Sequence, residues 1–544
     1  MIRAALVAAA LLASAAPAQA KPRVHRCGGA VCGSVPRPLD PAKPHGRKLA
    51  IGFKLYRVAH PKGPAIVAVE GGPGYPSIGS QVEYRGIYAP LLRERNLLLV
   101  DNRGTGSSAL IDCENLQTFE GLTSGPAFAK RVGACAKQID RKFGPHATDL
   151  FATAYAVDDL AAVIRALGFG KVDMYGDSYG TYFVQHFMAR HPEALHSVVL
   201  DSAYSPRDTD PWYASSGAAA RNALEIVSPG SVERLTRLLG ALPSGITVSQ
   251  VADMVQDSAS DPVILRELDA SVRAALAGDA VPLRRLVKQS REWSHGTSTP
   301  DYFSDGLYWA VNCVDLPQLF SYTGTRRIDI AAAPDAFRPF TPAQWLTISG
   351  YSQPYDGCLN WPAPVKKPPP LPDVKVSVPV LIVGGDLDSL TPFADAQVFG
   401  PKLGTNVTVV KLPNSVHVTS EGDTYLRRGA ACGRAVIRSF TRGALDTACT
   451  ATIPAIHTPD YQATDPTSIA ANALADAAIR SFYSESRAGL RGGRFTVKGD
   501  KITLHDVAFM PGSKVSGTGT FKNGIYEGTL TVNGVVERVP PTPL

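Results

Sequence analysis

The sequence has few charged residues, and they are spread along the chain. Asp, Glu, Lys and Arg make up 19% of the 544 residues, against about 25% in an average globular protein. The 55 basic and 48 acidic residues give a net charge of +7, and no run of Lys or Arg occurs. This composition argues against a coiled coil and a highly charged scaffold, and it predicts no nucleic-acid partner.

Long apolar runs and metal motifs are also missing. No segment reaches the roughly 20 consecutive apolar residues that span a bilayer, so we predict no membrane span. The sequence has no C-x-x-C, no H-E-x-x-H and no clustered Cys/His spacing, and we expect neither a metal nor a cofactor. A hydrophobic fraction of 44% excludes general disorder and predicts a large folded core.

The first twenty residues have the three parts of a secretory signal peptide. Arg3 supplies the positive charge, residues 4–16 form a short apolar segment, and Ala18-Gln19-Ala20 is an A-x-A cleavage site. We therefore predict a secreted, periplasmic or otherwise extracytoplasmic protein that is cleaved near Ala20.

Export changes how the eight cysteines are interpreted, because oxidising compartments favour disulfides. Eight cysteines allow 105 connectivities, so the sequence alone leaves the pairing open. They nevertheless fall into four couples of near neighbours along the chain. We expect the pairs Cys27–Cys32, Cys113–Cys135, Cys313–Cys358 and Cys432–Cys449.

From about residue 52, short apolar runs that end at turn residues alternate with segments of helical periodicity. Such runs are typical of buried parallel strands, and the alternation predicts a doubly wound α/β sheet. The predicted strands are 65–69, 96–100, 171–175, 197–200, 378–383 and 406–412, and the predicted helices include 157–167 and 179–190.

The strand pattern is interrupted after about residue 205 by a helix-prone stretch that closes with the proline-rich connector 361–372. We interpret this stretch as a mostly helical cap inserted between the sixth and seventh strands. After a helix near 468–487, alternating residues and Asn-Gly turns predict a small antiparallel meander. The predicted units are a signal peptide (1–20), the first part of the core (21–204), the cap (205–375), the second part of the core (376–464) and a C-terminal helix with a β-meander (465–544).

One pentapeptide carries the chemistry. Gly176-Asp177-Ser178-Tyr179-Gly180 matches G-x-S-x-G, the sharp strand-to-helix turn that exposes a serine nucleophile. The pentapeptide alone is a weak signal, but an apolar strand precedes it and an amphipathic helix follows it, as such a turn requires. Ser178 is therefore the predicted nucleophile.

Two backbone N–H groups are expected to stabilise the oxyanion that attack by a serine creates. The loop Glu70-Gly-Gly-Pro-Gly74 directly follows a predicted strand, where one donor is expected, and we assign it to Gly72. The residue after the nucleophile, Tyr179, supplies the other donor.

The acid and the base should follow the serine in that order. Two aspartates compete at the end of the strand 378–383, and we favour Asp388 over Asp386 because it stands three residues before Thr391-Pro392. His417, just after the next strand, is the expected base. The other histidines lack such a position.

Together these motifs make the chain resemble the secreted tripeptidyl-aminopeptidase branch of the proline iminopeptidase-like serine peptidases, in the α/β-hydrolase superfamily. The resemblance covers about residues 27–455 and not the meander. It rests on Glu70-Gly-Gly-Pro-Gly74 (where intracellular relatives commonly have His first), Asp101-Asn-Arg-Gly-Thr-Gly106, Gly176-Asp-Ser-Tyr-Gly180, Asp388-x-x-Thr-Pro392, His417 and the cysteine placements.

The resemblance implies an enzyme that releases short peptides, of tripeptidyl or prolyl type, from free N-termini through an acyl-enzyme on Ser178. An aminopeptidase needs a carboxylate for the substrate ammonium, and Glu70 and Asp315 are the candidates. Two alternatives remain open: a carboxylester hydrolase with the same triad, and a non-enzymatic binding protein of this fold. We interpret the C-terminal module as structural, with association with the cell envelope as the alternative.

Overall fold

The computed structural model describes residues 21–118, 125–205, 215–294, 299–316, 338–345, 357–421, 427–481 and 487–544. The predicted signal peptide, residues 1–20, lies outside these ranges.

A nine-stranded sheet forms the centre of the molecule, and a separate five-stranded sheet lies near the C-terminus. The strands in chain order are β1 (Arg23–Cys27), β2 (Ala30–Pro38), β3 (Lys48–Tyr56), β4 (Ala65–Val69), β5 (Leu97–Val100), β6 (Val172–Asp177), β7 (Leu195–Asp201), β8 (Val380–Gly385), β9 (Val407–Leu412), β10 (Arg494–Lys498), β11 (Lys501–Val507), β12 (Val515–Lys522), β13 (Ile525–Val532) and β14 (Val535–Pro543).

Helices pack on both faces of the central sheet and build the inserted region. In chain order they are α1 (Gln81–Tyr88), α2 (Glu114–Gln117), α3 (Gly125–Phe143), α4 (Thr153–Ala166), α5 (Tyr179–Arg190), α6 (Ser216–Val227), α7 (Ser231–Leu239), α8 (Val248–Asp257), α9 (Pro262–Leu276), α10 (Val281–Ser294), α11 (Asp305–Val314), α12 (Pro342–Trp345), α13 (Phe393–Phe399), α14 (Arg427–Thr441) and α15 (Pro466–Arg480).

The central sheet has the order β1-β2-β3-β5-β4-β6-β7-β8-β9. Strands β4 to β9 are parallel, and β1, β2 and β3 add an antiparallel extension at one edge. Alternate residues of β5 point to opposite faces: Leu98 packs with α4 and α5, whereas Leu97 and Leu99 pack with α1 and α14. The predicted α/β fold class is confirmed.

The N-terminal extension corrects one detail of the prediction. With β1, β2 and β3 before the four named strands 65–69, 96–100, 171–175 and 197–200, seven strands precede the helical insertion, and not the predicted six. Strand β2 was hidden because Pro36 and Pro38 interrupt its pattern, and proline is rare in strands away from sheet edges.

The described part of the insertion between β7 and β8 is helical, with α6 to α12. Its helices α6 to α10 share an apolar core that also contains Leu387 and Val416, which adjoin the predicted acid and base. The insertion therefore packs directly on the loops that carry the predicted acid and base.

The C-terminal module consists of α15 and the antiparallel sheet β10-β11-β12-β13-β14. Helix α15 packs on one face of this sheet, and Val263, Ala270 and Ala274 of α9 join the same apolar core. The module is thus attached to the inserted helices.

The structure forms all four disulfides of the sequential pairing: Cys27–Cys32, Cys113–Cys135, Cys313–Cys358 and Cys432–Cys449. Disulfides are typical of proteins outside the cytoplasm. In the part of the chain that the structure describes, no helix combines the length and apolar character needed to cross a membrane.

Candidate active site

Ser178 occupies the tight turn between β6 and α5. Its backbone has φ 48° and ψ −126°, a conformation that is rare for a residue with a side chain. The turn requires close packing around it: a Cβ on Gly180 would lie 2.4 Å from the carbonyl oxygen of Val69, and one on Gly176 would lie 2.5 Å from that of Gly180. The glycines of the motif are therefore needed for the strand and the helix to approach each other.

His417 and Asp388 lie together at the ends of neighbouring strands. The Nδ1 atom of His417 is 2.9 Å from Oδ2 of Asp388. The second carboxylate oxygen of Asp388 accepts hydrogen bonds from the backbone N–H groups of Leu390 and Thr391, each 2.9 Å long. This arrangement fixes the carboxylate so that it can orient the imidazole.

Thr391 adds a contact that the sequence did not assign. The hydroxyl of Thr391 donates to Oδ2 of Asp388 at 2.7 Å. The hydroxyl oxygen of Thr391 also lies 3.1 Å from Nδ1 of His417. The residue was visible in the Asp388-x-x-Thr-Pro392 motif, but its role depends on the position of His417, which is 26 residues away.

Asp386 makes a different contact. Its Oδ1 accepts a hydrogen bond from the backbone N–H of Asn414 at 2.7 Å. Burial raises the pKa of Asp386 above its ordinary value. The structure thus brings Asp388 to His417 and uses Asp386 to hold the loop that leads to His417.

The loops of the nucleophile and of the base meet at the end of β7. The N–H of Ser178 donates to the carbonyl of Asp201 at 3.0 Å, and the N–H of Val418 donates to the hydroxyl of Ser202 at 2.8 Å. Asp201 and Ser202 are adjacent, so they hold the residue next to His417 beside the backbone of Ser178.

The loop after β4 lies against the nucleophile. A Cβ on Gly71 would come within 2.7 Å of Cβ of Ser178, and the N–H of Gly71 donates to Oε1 of Glu70 at 3.0 Å. Gly72, next along the loop, has a φ of 32°, which favours glycine. Because Gly71 already has an acceptor, Gly72 is the better candidate for a donor to the substrate.

Tyr179 is the first residue of α5. The first N–H groups of a helix have no acceptor within it and carry partial positive charge. The N–H of Tyr179 therefore suits an oxyanion formed at Ser178.

Three carboxylates lie side by side behind this loop: Glu70, Asp177 and Glu421, with oxygens within 4.8 Å of one another. The hydroxyl of Tyr84 lies 2.9 Å from Oε2 of Glu70 and 3.0 Å from Oδ2 of Asp177. Burial, reinforced by the charges of Glu70 and Glu421, raises the pKa of Asp177 well above its ordinary value. The distances alone are compatible with a shared cation, and the prediction that no metal binds remains a prediction.

Asp315 follows the end of α11 and faces the core. Its Oδ2 accepts hydrogen bonds from the backbone N–H and the hydroxyl of Thr153, at 2.6 and 2.5 Å. Burial raises the pKa of Asp315 to about 6, although the bonds from Thr153 oppose that rise. Sequence reasoning missed Thr153 because 162 residues separate it from Asp315.

The chain is similar to known families and proteins. Residues 64–242 match the model of the α/β-hydrolase fold, and residues 347–449 match the model of a TAP-like protein. Serine protease Hip1 of Mycobacterium tuberculosis is 25% identical over 427 residues, which cover 68% of this chain and 79% of that protein. Tripeptidyl aminopeptidase of Streptomyces lividans is 27% identical over 208 residues, or 34% of this chain and 37% of the relative. With the nucleophile turn on a doubly wound sheet, these matches mean that the chain is a serine hydrolase and belongs to the α/β-hydrolase family of serine peptidases.

Proposed function

We propose that this enzyme is an extracytoplasmic aminopeptidase that releases short peptides, of tripeptidyl or prolyl type, from free N-termini. One observation carries the proposal: the turn that exposes Ser178 and the His417–Asp388 contact of 2.9 Å occur in one fold together with a helical insertion. The relatives support the peptide substrate, because two of them are named as a serine protease and a tripeptidyl aminopeptidase.

In the proposed mechanism, Oγ of Ser178 attacks the scissile carbonyl while Nε2 of His417 takes its proton. Asp388 holds the imidazole and stabilises its positive charge. The N–H groups of Gly72 and Tyr179 stabilise the oxyanion. His417 then protonates the leaving amine, and a water molecule attacks the acyl-enzyme in the same way to free the peptide.

We further propose that residues 205–375 form a cap that limits access to the site. The carbonyl of Ala259, between α8 and α9, accepts a hydrogen bond from the N–H of His417 at 2.9 Å, and the hydroxyl of Ser216 donates to the carbonyl of Ser389 at 2.6 Å. A cap bonded to both the acid and the base loops is well placed to select short, unblocked chain ends.

Glu70 is the proposed partner of the substrate ammonium. It precedes Gly71, which lies against Ser178, and it belongs to the three-carboxylate group in which a cation is favourable. Asp315 is the other candidate: its Oδ2 is bonded to Thr153, as the two carboxylate oxygens of Glu70 are bonded to Gly71 and Tyr84.

Export with cleavage near Ala20 completes the proposal, supported by the four disulfides. We propose a structural role for the C-terminal module, because its core is shared with α9. Association of the module with the cell envelope remains the alternative.

The substrate class is tested with the purified mature chain on three substrates: a tripeptidyl anilide, its N-acetylated form and an acyl ester. We expect acetylation to lower kcat/KM by about 10²-fold, because a buried or partly buried carboxylate loses its charge-assisted partner. Glu70→Gln should raise KM for the free peptide but not for the acetylated one. Glu193→Gln, at an exposed position, should leave KM for both peptides unchanged.

A fluorophosphonate probe separates the alternatives. Labelling of the wild type but not of Ser178→Ala supports the nucleophile, and absence of labelling would instead favour a binding protein. Labelling with activity on the ester alone, indifferent to acetylation, would make the enzyme a carboxylester hydrolase.

A further inference from the structure

Helix α11 of the insertion touches the structure around both proposed oxyanion donors. At its N-terminal end, the N–H of Ser304 donates to the carbonyl of Gly74 at 2.9 Å. The ring of Phe303 packs on that of Tyr75 with a centroid distance of 4.6 Å, and a Cβ on Gly74 would lie 2.8 Å from Phe303. The loop that contains Gly72 is therefore packed against the start of α11.

At the other end of α11, a hydrogen-bonded chain leads to Tyr179. Asp315 directly follows the last residue of the helix, and its carboxylate accepts from the hydroxyl of Thr153 at 2.5 Å. The oxygen of that hydroxyl lies 2.6 Å from the phenol oxygen of Tyr179. A hydroxyl has one proton; since Thr153 gives its proton to the carboxylate, the phenol must donate to Thr153.

Both ends of α11, the helix that precedes Asp315, are held by close contacts. Cys313, two residues before Asp315, is bonded to Cys358. A Cβ on Gly306 would lie 2.2 Å from the side chain of Ile111, so the first turn of α11 is also tightly packed on the core. Neither end of the helix can shift without disturbing these contacts.

We propose that α11 braces the oxyanion site and that Asp315, acting through Thr153, is a positioning residue for Tyr179. The inference rests on the proposed mechanism, in which the N–H of Tyr179 is one donor. Hydrogen bonds to an oxyanion depend steeply on distance and angle. The hydrogen bonds from Tyr179 to Thr153 and from Thr153 to Asp315 hold Tyr179 in the position where its N–H points at the oxyanion. Without these bonds the N–H is still present, but its position and direction are less well defined.

Thr153→Val tests the brace, because valine keeps the shape of threonine but removes the hydroxyl from the middle of the chain. We expect kcat to fall about 10- to 100-fold, less than the 10²–10³-fold cost of deleting a whole donor. KM should not change. Affinity for a peptide aldehyde, whose hemiacetal mimics the oxyanion, should fall in parallel with kcat, and Thr153→Ser should restore both.

Thr441→Val is the matched control. The hydroxyl of Thr441 is also buried, but it bonds the carbonyl of Ile437 in α14, at 2.8 Å, and it should leave kcat and the aldehyde affinity unchanged. The melting temperatures of all variants distinguish a protein that has lost its fold from a folded protein in which the N–H of Tyr179 is misplaced.

Tyr179→Phe provides an independent variant that keeps the backbone N–H. It should repeat the effect of Thr153→Val, and the double variant should be no worse than either single one, because both break the same chain. Additive losses in the double variant, or a Thr153→Val enzyme as active as Thr153→Ser, would contradict the proposal that Asp315 positions Tyr179 through Thr153. Wild-type protein that fluorophosphonate does not label would instead contradict the proposed mechanism itself.

Discussion

At the scale of single residues, the two aspartates after β8 show how position decides role. They are two residues apart, but Asp388 contacts the ring of His417 and Asp386 contacts the backbone of Asn414. The sequence favoured Asp388 through its spacing from Thr391-Pro392, and the structure gives the reason: the N–H and the hydroxyl of Thr391 both bond that carboxylate.

A pair of isosteric substitutions should separate these roles. Asp388→Asn places an amide against Nδ1 of His417 and favours the wrong tautomer, so we expect kcat to fall about 10⁴-fold. Asp386→Asn keeps an oxygen that can accept from Asn414, and kcat should change only a few-fold. Measuring kcat and thermal stability for both decides the matter; a larger loss in Asp386→Asn would reassign the acid.

Other residues of the site could not be predicted from sequence, because their partners are distant in the chain. Thr153 bonds Asp315 across 162 residues, and Glu421 meets Glu70 and Asp177 only in the folded state. No local motif contains such pairs, whereas the turn around Ser178 is recognisable because its glycines and flanking elements are contiguous.

At the scale of elements, the strands with continuous apolar runs were predictable and the irregular ones were not. Strands β4 to β9 lie within about two residues of their predicted positions, because β4 to β8 are buried almost throughout and β9, at the edge, keeps a β-branched apolar run. Strands β1, β2 and β3, the antiparallel extension, were missed; in β1 and β2 polar residues and prolines replace the apolar pattern. The contacts of α11 with the loop around Gly74 and with Thr153 follow from tertiary packing and leave no periodic signal.

The end of β6 and the loops after β4 and β9 come together to form the carboxylate group, and this arrangement has a consequence for stability. Burial, with the charges of Glu70 and Asp201, raises the pKa of Glu421 well above its ordinary value. Above about pH 4.3 the unfolded chain releases this proton and the folded chain retains it. Stability should therefore fall as the pH rises from there toward the raised folded-state pKa.

Glu421→Gln tests this dependence, because it removes the titrating group and keeps its size. The free energy of unfolding of the variant should exceed that of the wild type at pH 8, and the gain should shrink toward pH 4. The difference can change by up to about 1.4 kcal/mol per pH unit. Denaturant titrations across pH measure it, with Glu193→Gln at an exposed position as control; a gain independent of pH would contradict the assignment.

At the scale of the whole molecule, the C-terminal module is an integral part of the fold. Ion pairs join the inserted helices to α15. Arg480 of α15 is 2.6 Å from Glu267 of α9, and Arg285 of α10 is 2.8 Å from Asp476 of α15. The apolar core of the module also includes Val263. The module and the inserted helices therefore share an apolar core and ion pairs, and we expect the stability of the insertion to depend on the module.

Breaking one of these ion pairs should weaken the whole assembly. The side chain of Glu267 is 1% exposed and that of Arg480 10%, so Arg480→Met leaves a buried carboxylate without its nearest charged partner. We expect a loss of about 1.5–3 kcal/mol in the free energy of unfolding, the contribution of a hydrogen bond to a charged group, because Arg285 and Arg266 remain within 4 Å of Glu267. Arg494→Met, on the exposed side of β10, should cost little. Adding Glu267→Gln to Arg480→Met should recover part of the loss, because the buried carboxylate that lost its 2.6 Å partner is then neutral. Denaturant unfolding measures all three variants, and limited proteolysis shows whether residues beyond α15 are released first. An Arg480→Met protein as stable as Arg494→Met would mean that the apolar core alone holds the module to the insertion.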